Sequence, residues 1–317
     1  MATDRLGDMR LFVQAAAMGS LTTAGSKLGF SPAAASARLA KLERFLGVKL
    51  FHRTTRHLQL TNEGRIYLSH CMIALRAIED GEFMLQAGQK AVRGKIRISA
   101  STDFGRSLLD DWLNDFVQEH QDIQLALILN DSFSNLHQEG VDIAIRFGRP
   151  AQSMLVARRL APNFRVLCAS PDYLSAHGTP LTPDDLAQHK FVVLATERGL
   201  LNEYHFAKEG KFWNYTVPGD RSWEVNDGEV ATKWAIAGRG ITRKTIWDAA
   251  SSIRTGKLRI VLPEFNLNED GVYAVRHSTE FMPPRIRALL DFLSDRFEQE
   301  ASAMQDFFMA SRNPSEP

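Results

Sequence analysis

The segment Gly29-Phe30-Ser31-Pro32 constrains the fold of this chain more than any other, because it is a turn set between two short helical periods. Before it, LTTAGSKL brings Leu21, Ala24 and Leu28 to one face behind a candidate N-cap at Ser20. After it, Ala35, Leu39, Leu42 and Leu46 recur at helical spacing. Gly29 ends the first period. Ser31 can accept a hydrogen bond from a free N–H of the second, and Pro32, which has no N–H to satisfy, suits the first helical position. Two helices joined this closely through a glycine-containing turn form a helix-turn-helix. An earlier helix, with Met9, Phe12, Val13 and Ala16 as its buried stripe and Gly19 as its stop, supplies a third wall for a small core.

The outward residues of these helices have a chemistry of their own. The second helix turns Thr22, Thr23, Ser26 and Lys27 outward, and the third turns Ala33, Ser36, Ala37 and Lys41 outward. A helix enters a DNA major groove, about 12 Å wide, with a slender leading face, while hydroxyls and cations beside it hold phosphates. HRTTRHLQL follows with alternating β-branched residues, which predicts a two-stranded wing carrying Arg53, Thr54 and Arg56. Charge is distributed accordingly. Net charge is +1, but residues 1–60 hold nine Lys/Arg against three Asp/Glu, so a basic segment is joined to an acidic remainder.

Thr61 is positioned to cap a long helix over about 61–89, in which Leu68, Cys71, Leu75, Ile78 and Leu85 follow an a/d heptad. So narrow a seam calls for a partner helix. Near Gly94 the period shortens from helical to extended, and strand-like runs (KIRISA, IQLALIL, VDIAIRF, RVLCAS, FVVLA, SWEVN, GVYAVRH) then alternate with helical ones. The pattern predicts βαβ units in two α/β lobes. Residues 302–317 read as a flexible polar tail.

At 317 residues the chain is long enough for several domains: 1–62 as a winged helix-turn-helix, 63–92 as a linker and dimerisation helix, and 93–301 as two lobes, the first about 93–164 with 268–301 and the second about 165–267. The two cysteines and nine histidines offer no ligand spacing for a metal, and no cofactor is expected. The apolar runs are too short to span a membrane and the N-terminus lacks a secretory pattern, so a cytoplasmic location is expected.

The runs FVQAAAMGSLTTA, SPAAASARLAKLE and LGVKLFHRTTRHLQLTNEG together resemble the N-terminal signature of the LysR-type transcriptional regulators, and VRGKIRIS, EGVDIAIRFG, LCASPDYL and AGRGIT resemble landmarks of that family's effector-binding region. The resemblance implies an α/β multi-domain chain with an N-terminal winged helix-turn-helix, a long linker helix and two α/β lobes like those of periplasmic solute-binding proteins. It implies a DNA-binding regulator switched by a small-molecule effector, working as a homodimer or homotetramer. Carried over residue by residue, it sets Ser31, Pro32, Ala33, Ser36, Ala37 and Arg38 on the DNA-reading helix and Arg53, Thr54 and Arg56 on the wing. The chain departs from the family at Gly25, where Ala is usual, and at Ala37, where a polar or basic residue is common.

Ligands in paired α/β lobes settle where loops leave the carboxyl ends of strands. The candidates there are Ser101 and Thr102 at a helix start, Phe104, Arg146 as a carboxylate clamp with Phe147 beside it, His205, Asn226 and Asp227 at a strand-to-helix turn, and Thr242. For Ser101, Thr102 and Asp227 the alternative is plain helix capping, and for Arg146 it is an ion pair with Glu139 or Asp142. These residues suit a carboxylate or an aromatic acid. Two other classes compete: an enzyme carrying a DNA-binding module, against which no Walker A, G-x-S-x-G or dinucleotide motif is present, and an architectural DNA-binding protein without an effector.

Overall fold

The computed structural model describes residues 4–53, 58–87, 92–130, 140–149, 155–196, 199–277 and 282–312. The chain packs as two units, the first formed mainly by residues 1–91 and the second by most of the rest.

In the first unit, α1 (Arg5–Met18), α2 (Leu21–Lys27) and α3 (Pro32–Leu46) are followed by β1 (Phe51–Arg53), β2 (Leu58–Leu60) and α4 (Asn62–Ala87). The caps are those the sequence requires: Ser20 Oγ accepts from Thr23 N at 3.2 Å, Ser31 Oγ accepts from Ala34 N at 3.2 Å, and Gly19 ends α1 at φ 62°. β1 and β2 pair antiparallel, Phe51 with Leu60 and Arg53 with Leu58, and form the wing. Leu11, Phe12, Ala15, Ala24, Ala35, Leu39, Leu42, Leu50, Phe51 and Cys71 make the core. The stripe of α1 is therefore turned from the expected one, with Leu11 and Ala15 buried and Met9, Val13 and Ala16 only half-buried. Asp8 lies on the same buried side, 5 % exposed and paired with Arg38 at 2.6 Å.

The heptad of α4 is also partly spent at home. Cys71 is core, Leu75 is buried, and Leu68 is partly buried against that core. Ile78 and Leu85 stay exposed, Leu85 at 90 %.

The second unit is built on one continuous sheet. Its strands are β3 (Gly94–Ala100), β4 (Ile123–Leu129), β5 (Ile143–Phe147), β6 (Leu155–Ala169), β7 (Phe191–Thr196), β8 (Gly199–Leu200), β9 (Glu203–Lys208), β10 (Lys211–Thr216), β11 (Ser222–Val225), β12 (Ile241–Thr245), β13 (Arg259–Val261) and β14 (Asn266–His277). The order β11-β7-β12-β6-β14-β5-β3-β4 has a parallel set at each end, β4 and β5 on β3 in the first lobe and β11 and β12 on β7 in the second. The long β6 and β14 cross between lobes and pair antiparallel with each other, so the sheet is mixed where βαβ units alone predict a parallel one.

The helices are α5 (Thr102–Phe104), continued by a π turn over Gly105–Leu109 into α6 (Asp110–Glu119), then α7 (Pro171–His177), α8 (Gly228–Ile236), α9 (Ile246–Arg254) and α10 (Pro284–Arg312). One apolar core gathers the first lobe with α9 and α10, where the rings of Trp247 and Phe297 lie 4.9 Å apart; a second fills the other lobe around Phe191, Tyr204 and Phe206. α10 runs on to Arg312 and seats Met304 in the core, so the expected tail from 302 is helical this far. Among the described residues no helix is long and apolar enough to cross a membrane.

Candidate nucleic-acid interface and effector cleft

In the first unit α2 and α3 divide cleanly between core and solvent. Thr22, Thr23, Ser26 and Lys27 on α2 are exposed, as are Ser31, Pro32, Ala33, Ser36, Ala37 and Lys41 at and along α3. Between them the two helices touch through their smallest residues. A Cβ on Gly25 would stand 2.7 Å from the Cβ of Ala35, so the departure to glycine lets α2 sit close beneath α3. Glu43 fixes the other end: it is 4 % exposed, accepts from Leu50 N at 3.0 Å and pairs with Lys49 at 2.7 Å, tying α3 to the start of the wing. Thr61 caps α4 by accepting from Gly64 N at 2.9 Å and donates to Lys49 O at 2.7 Å.

Arg38 is half-buried on α3, and its guanidinium pairs with the exposed Asp4 at 2.7 Å and the buried Asp8 at 2.6 Å. The hydrogen bond from Gly7 N, then that from Arg38, holds the Asp4 carboxyl below the ordinary carboxylate range. Arg53 ends β1, and Thr54 and Arg56 lie outside the described residues.

In the second unit the lobes meet through charge. Asp103 on α5 forms an ion pair with Lys244 on β12, both nearly buried, and accepts from Thr232 Oγ1 on α8 at 3.1 Å; Lys244 also donates to Gly228 O at 2.9 Å. At the rim, Arg106 reaches Asp227 at 3.3 Å and Glu229 at 2.7 Å. Burial opposes the charge on Lys244, but the carboxylates of Asp248 and Asp103 hold its pKa above the ordinary lysine value. Asp248, one turn into α9, is pushed up to about 6 by burial, against the pull of Lys244. Burial also works against ionisation of Asp227, yet its hydrogen bond from Val230 N and the nearby Arg106 keep the carboxyl below the usual range.

Several predicted cleft residues are occupied otherwise. Phe104 is fully buried among Trp112, Phe147 and Phe297 and belongs to the core. Thr242 is spent in the sheet, donating to Val192 O at 3.0 Å. His205 stands exposed on the β9–β10 hairpin, 2.7 Å from Asn214 Oδ1, because the run 203–216 forms a hairpin that helix–strand alternation concealed. Arg146 is 4 % exposed and donates to Ile145 O at 2.9 Å and Ser99 Oγ at 2.8 Å, while Asp142 accepts from Arg97 N at 2.7 Å.

The rest lie closer to expectation. Thr102 opens α5, Phe147 ends β5, and Asn226 is exposed at the turn into α8. Asp227 both caps α8, accepting from Val230 N at 3.0 Å, and meets Arg106 across the lobes. Ser101 precedes α5 without capping it, and its buried Oγ makes no hydrogen bond among the described residues.

Sequence reasoning missed Asp103, Arg106, Glu229, Lys244 and Asp248. No local signal was available, because in ITRKT the sequence does not distinguish the buried Lys244 from its neighbour Arg243. Among the described residues no group of His, Cys, Asp and Glu is clustered to hold a metal ion. Burial pushes the Cys71 thiol up to about 11 and the Cys168 thiol up to about 12, so both stay protonated at neutral pH.

Comparison with known proteins adds lineage to this geometry. Residues 6–65 match the family model "Bacterial regulatory helix-turn-helix protein, lysR family", and residues 89–298 match "LysR substrate binding domain". The chain is 33% identical over 298 residues to the HTH-type transcriptional regulator DmlR of Escherichia coli, covering 93% of this chain and 95% of that one. It is 31% identical over 296 residues to an HTH-type transcriptional repressor of Pseudomonas aeruginosa, covering 93% of each. Among solved structures it is similar to CrgA, a LysR-type transcriptional regulator from Neisseria meningitidis, with TM-score 0.59 and 29% identity over 92% of this chain and 98% of that one.

Proposed function

The chain belongs to the LysR family of transcriptional regulators, and from that premise we propose how its two units divide the work. It is a DNA-binding regulator with an effector-binding domain. In our reading α3 enters the major groove by its N-terminal half, α2 crosses the backbone with Thr22, Ser26 and Lys27 toward phosphates, and the wing reaches flanking DNA. The observation that carries this is the exposure pattern of α3. Ser31, Pro32, Ala33, Ser36 and Ala37 are exposed and small, while Ala35, Leu39 and Leu42 anchor the helix from below. A salt titration of binding to a selected duplex tests it: Lys27→Ala and Lys41→Ala should each flatten the slope of log K against log salt by about one counterion. Unchanged slopes in both would remove the proposed face.

The second unit senses a small molecule between its lobes. Support comes from the charged seam at Asp103, Lys244, Arg106 and Asp227, and from the unpartnered Ser101 Oγ beside it. A carboxylate or an aromatic acid is the effector class we propose, with the Ser101 hydroxyl before α5 as a polar contact that the cationic groups of the seam, already paired with Asp103, Asp227 and Glu229, do not use. Occupancy shifts the population of lobe arrangements and thereby DNA affinity, with equal coupling in both directions. Saturable thermal stabilisation by a panel of organic acids checks this reading, and turnover of any of them would instead favour an enzyme.

We also infer a homodimer, with Ile78 and Leu85 as the open heptad positions of α4, and a cytoplasmic location, because the partner is chromosomal DNA. The named relatives are regulators, which supports a protein that binds and switches without catalysing.

A further inference from the structure

We infer that Arg38 is a positioning residue for the DNA-reading helix and that it does not contact DNA itself; this rests on the reading of α3 given above. One guanidinium holds three segments. Its Nε lies 2.6 Å from Asp8 Oδ1 on α1, its Nη2 lies 2.7 Å from Asp4 Oδ2 and donates to Asp4 O at 3.1 Å, and its plane sits 4.7 Å from the centre of the Phe30 ring. Asp4 is the N-cap of α1, and Phe30 lies in the turn between α2 and α3. Arg38 thus joins the start of the unit, the turn and the helix that the turn feeds.

The surroundings are shaped around this contact. A Cβ on Gly7 would stand 2.2 Å from Asp4 Oδ2 and 2.7 Å from Arg38 Nη2, so a side chain there would have to push the paired groups aside. Asp8 is 5 % exposed and Arg38 25 %. Swinging Arg38 out to a phosphate would leave Asp8 as a buried carboxylate without this partner, beside a polyanion. An arginine also spans two carboxylates and stacks on a ring in one planar group, which a lysine cannot do. Position 38 therefore sets the rotation of α3 about its axis, and that rotation decides whether Ala33, Ser36 and Ala37 lead.

The test separates positioning from contact. The probes are a duplex enriched from a random pool by the wild-type full-length protein and poly(dI-dC) as the non-specific competitor. Arg38→Ala should weaken the selected duplex at least tenfold and leave poly(dI-dC) binding and the salt slope as they were. Arg38→Lys, which keeps the charge and is the gentler change if the alanine variant does not fold, should lose the same preference. Asp8→Asn should also weaken the selected duplex, although it makes the protein more positive. A slope lower by about one in Arg38→Ala, full binding by Arg38→Lys, or tighter binding by Asp8→Asn would each overturn the inference. Failure of the α3 reading itself shows separately, as unchanged slopes in Lys27→Ala and Lys41→Ala.

Discussion

Buried charge is what single residues contribute to this molecule. Glu43 is the simplest case: removing its carboxylate orphans Leu50 N, and Glu43→Ala should cost about 1–3 kcal/mol of stability in urea unfolding. Its partner Lys49 is exposed at 71 %, so Lys49→Ala should cost about 1 kcal/mol or less. Asp248 gives a pH signature. Its folded pKa of about 6 lies above the unfolded carboxylate value, so the native state holds the proton more tightly. Stability from this group is present below the unfolded pKa and is lost as pH rises through about 6. Asp248→Asn should therefore gain on the wild type between pH 4 and pH 6 and hold a constant difference above neutrality. Parallel curves across that range would contradict the burial of Asp248.

At the scale of elements, close approach decides which glycines are replaceable. Gly64 opens α4 with its backbone against β1, and a Cβ there would fall 2.0 Å from Leu50 O. Gly64→Ala should lower the melting temperature by several degrees, for a strain of about 1–3 kcal/mol. Gly25→Ala is the subtler case. It gains up to about 1 kcal/mol of helix propensity but meets Ala35, so the variant should be less stable unless Ala35→Gly accompanies it. In the sequence Gly25 stands only as a departure from the Ala usual in the family, whereas the packing makes it the reason α2 and α3 fit. The heptad of α4 carries a similar lesson. Spacing alone cannot tell a helix face that meets its own core from one that awaits a partner, and Cys71 proves to be of the first kind. Leu85→Asp, at an exposed position, should dissociate dimers in sedimentation with little loss of fold.

For the whole molecule the seam between the lobes of the second unit matters most. Arg106 is 46 % exposed, so its bridges to Asp227 and Glu229 contribute little to global stability. They join the two lobes, so on the proposed switch they would favour the arrangement seen here. Arg106→Ala should leave the melting temperature within a few degrees of wild type yet raise hydrogen exchange at the turn into α8, and protection unchanged there would show the seam does not open. Lys244→Ala differs in kind, since it strands Asp103 and Asp248, and should cost about 3–5 kcal/mol.

The sequence by itself determined the helix-turn-helix, its caps, the exposed small-residue face of α3, the basic wing, the long helix and the alternation that builds two lobes. These are local properties: a cap, a period or a turn residue acts within a few positions, and the chain states each one where it stands. Tertiary structure alone decided that Arg38 pairs with Asp4 and Asp8, that Phe104 and Thr242 are spent in packing and in the sheet, and that Lys244 meets Asp103 from 141 residues away. The physical reason is that a side chain's partner is set by which strands and helices become neighbours. β6 and β14 cross between lobes, joining segments whose proximity no local pattern encodes.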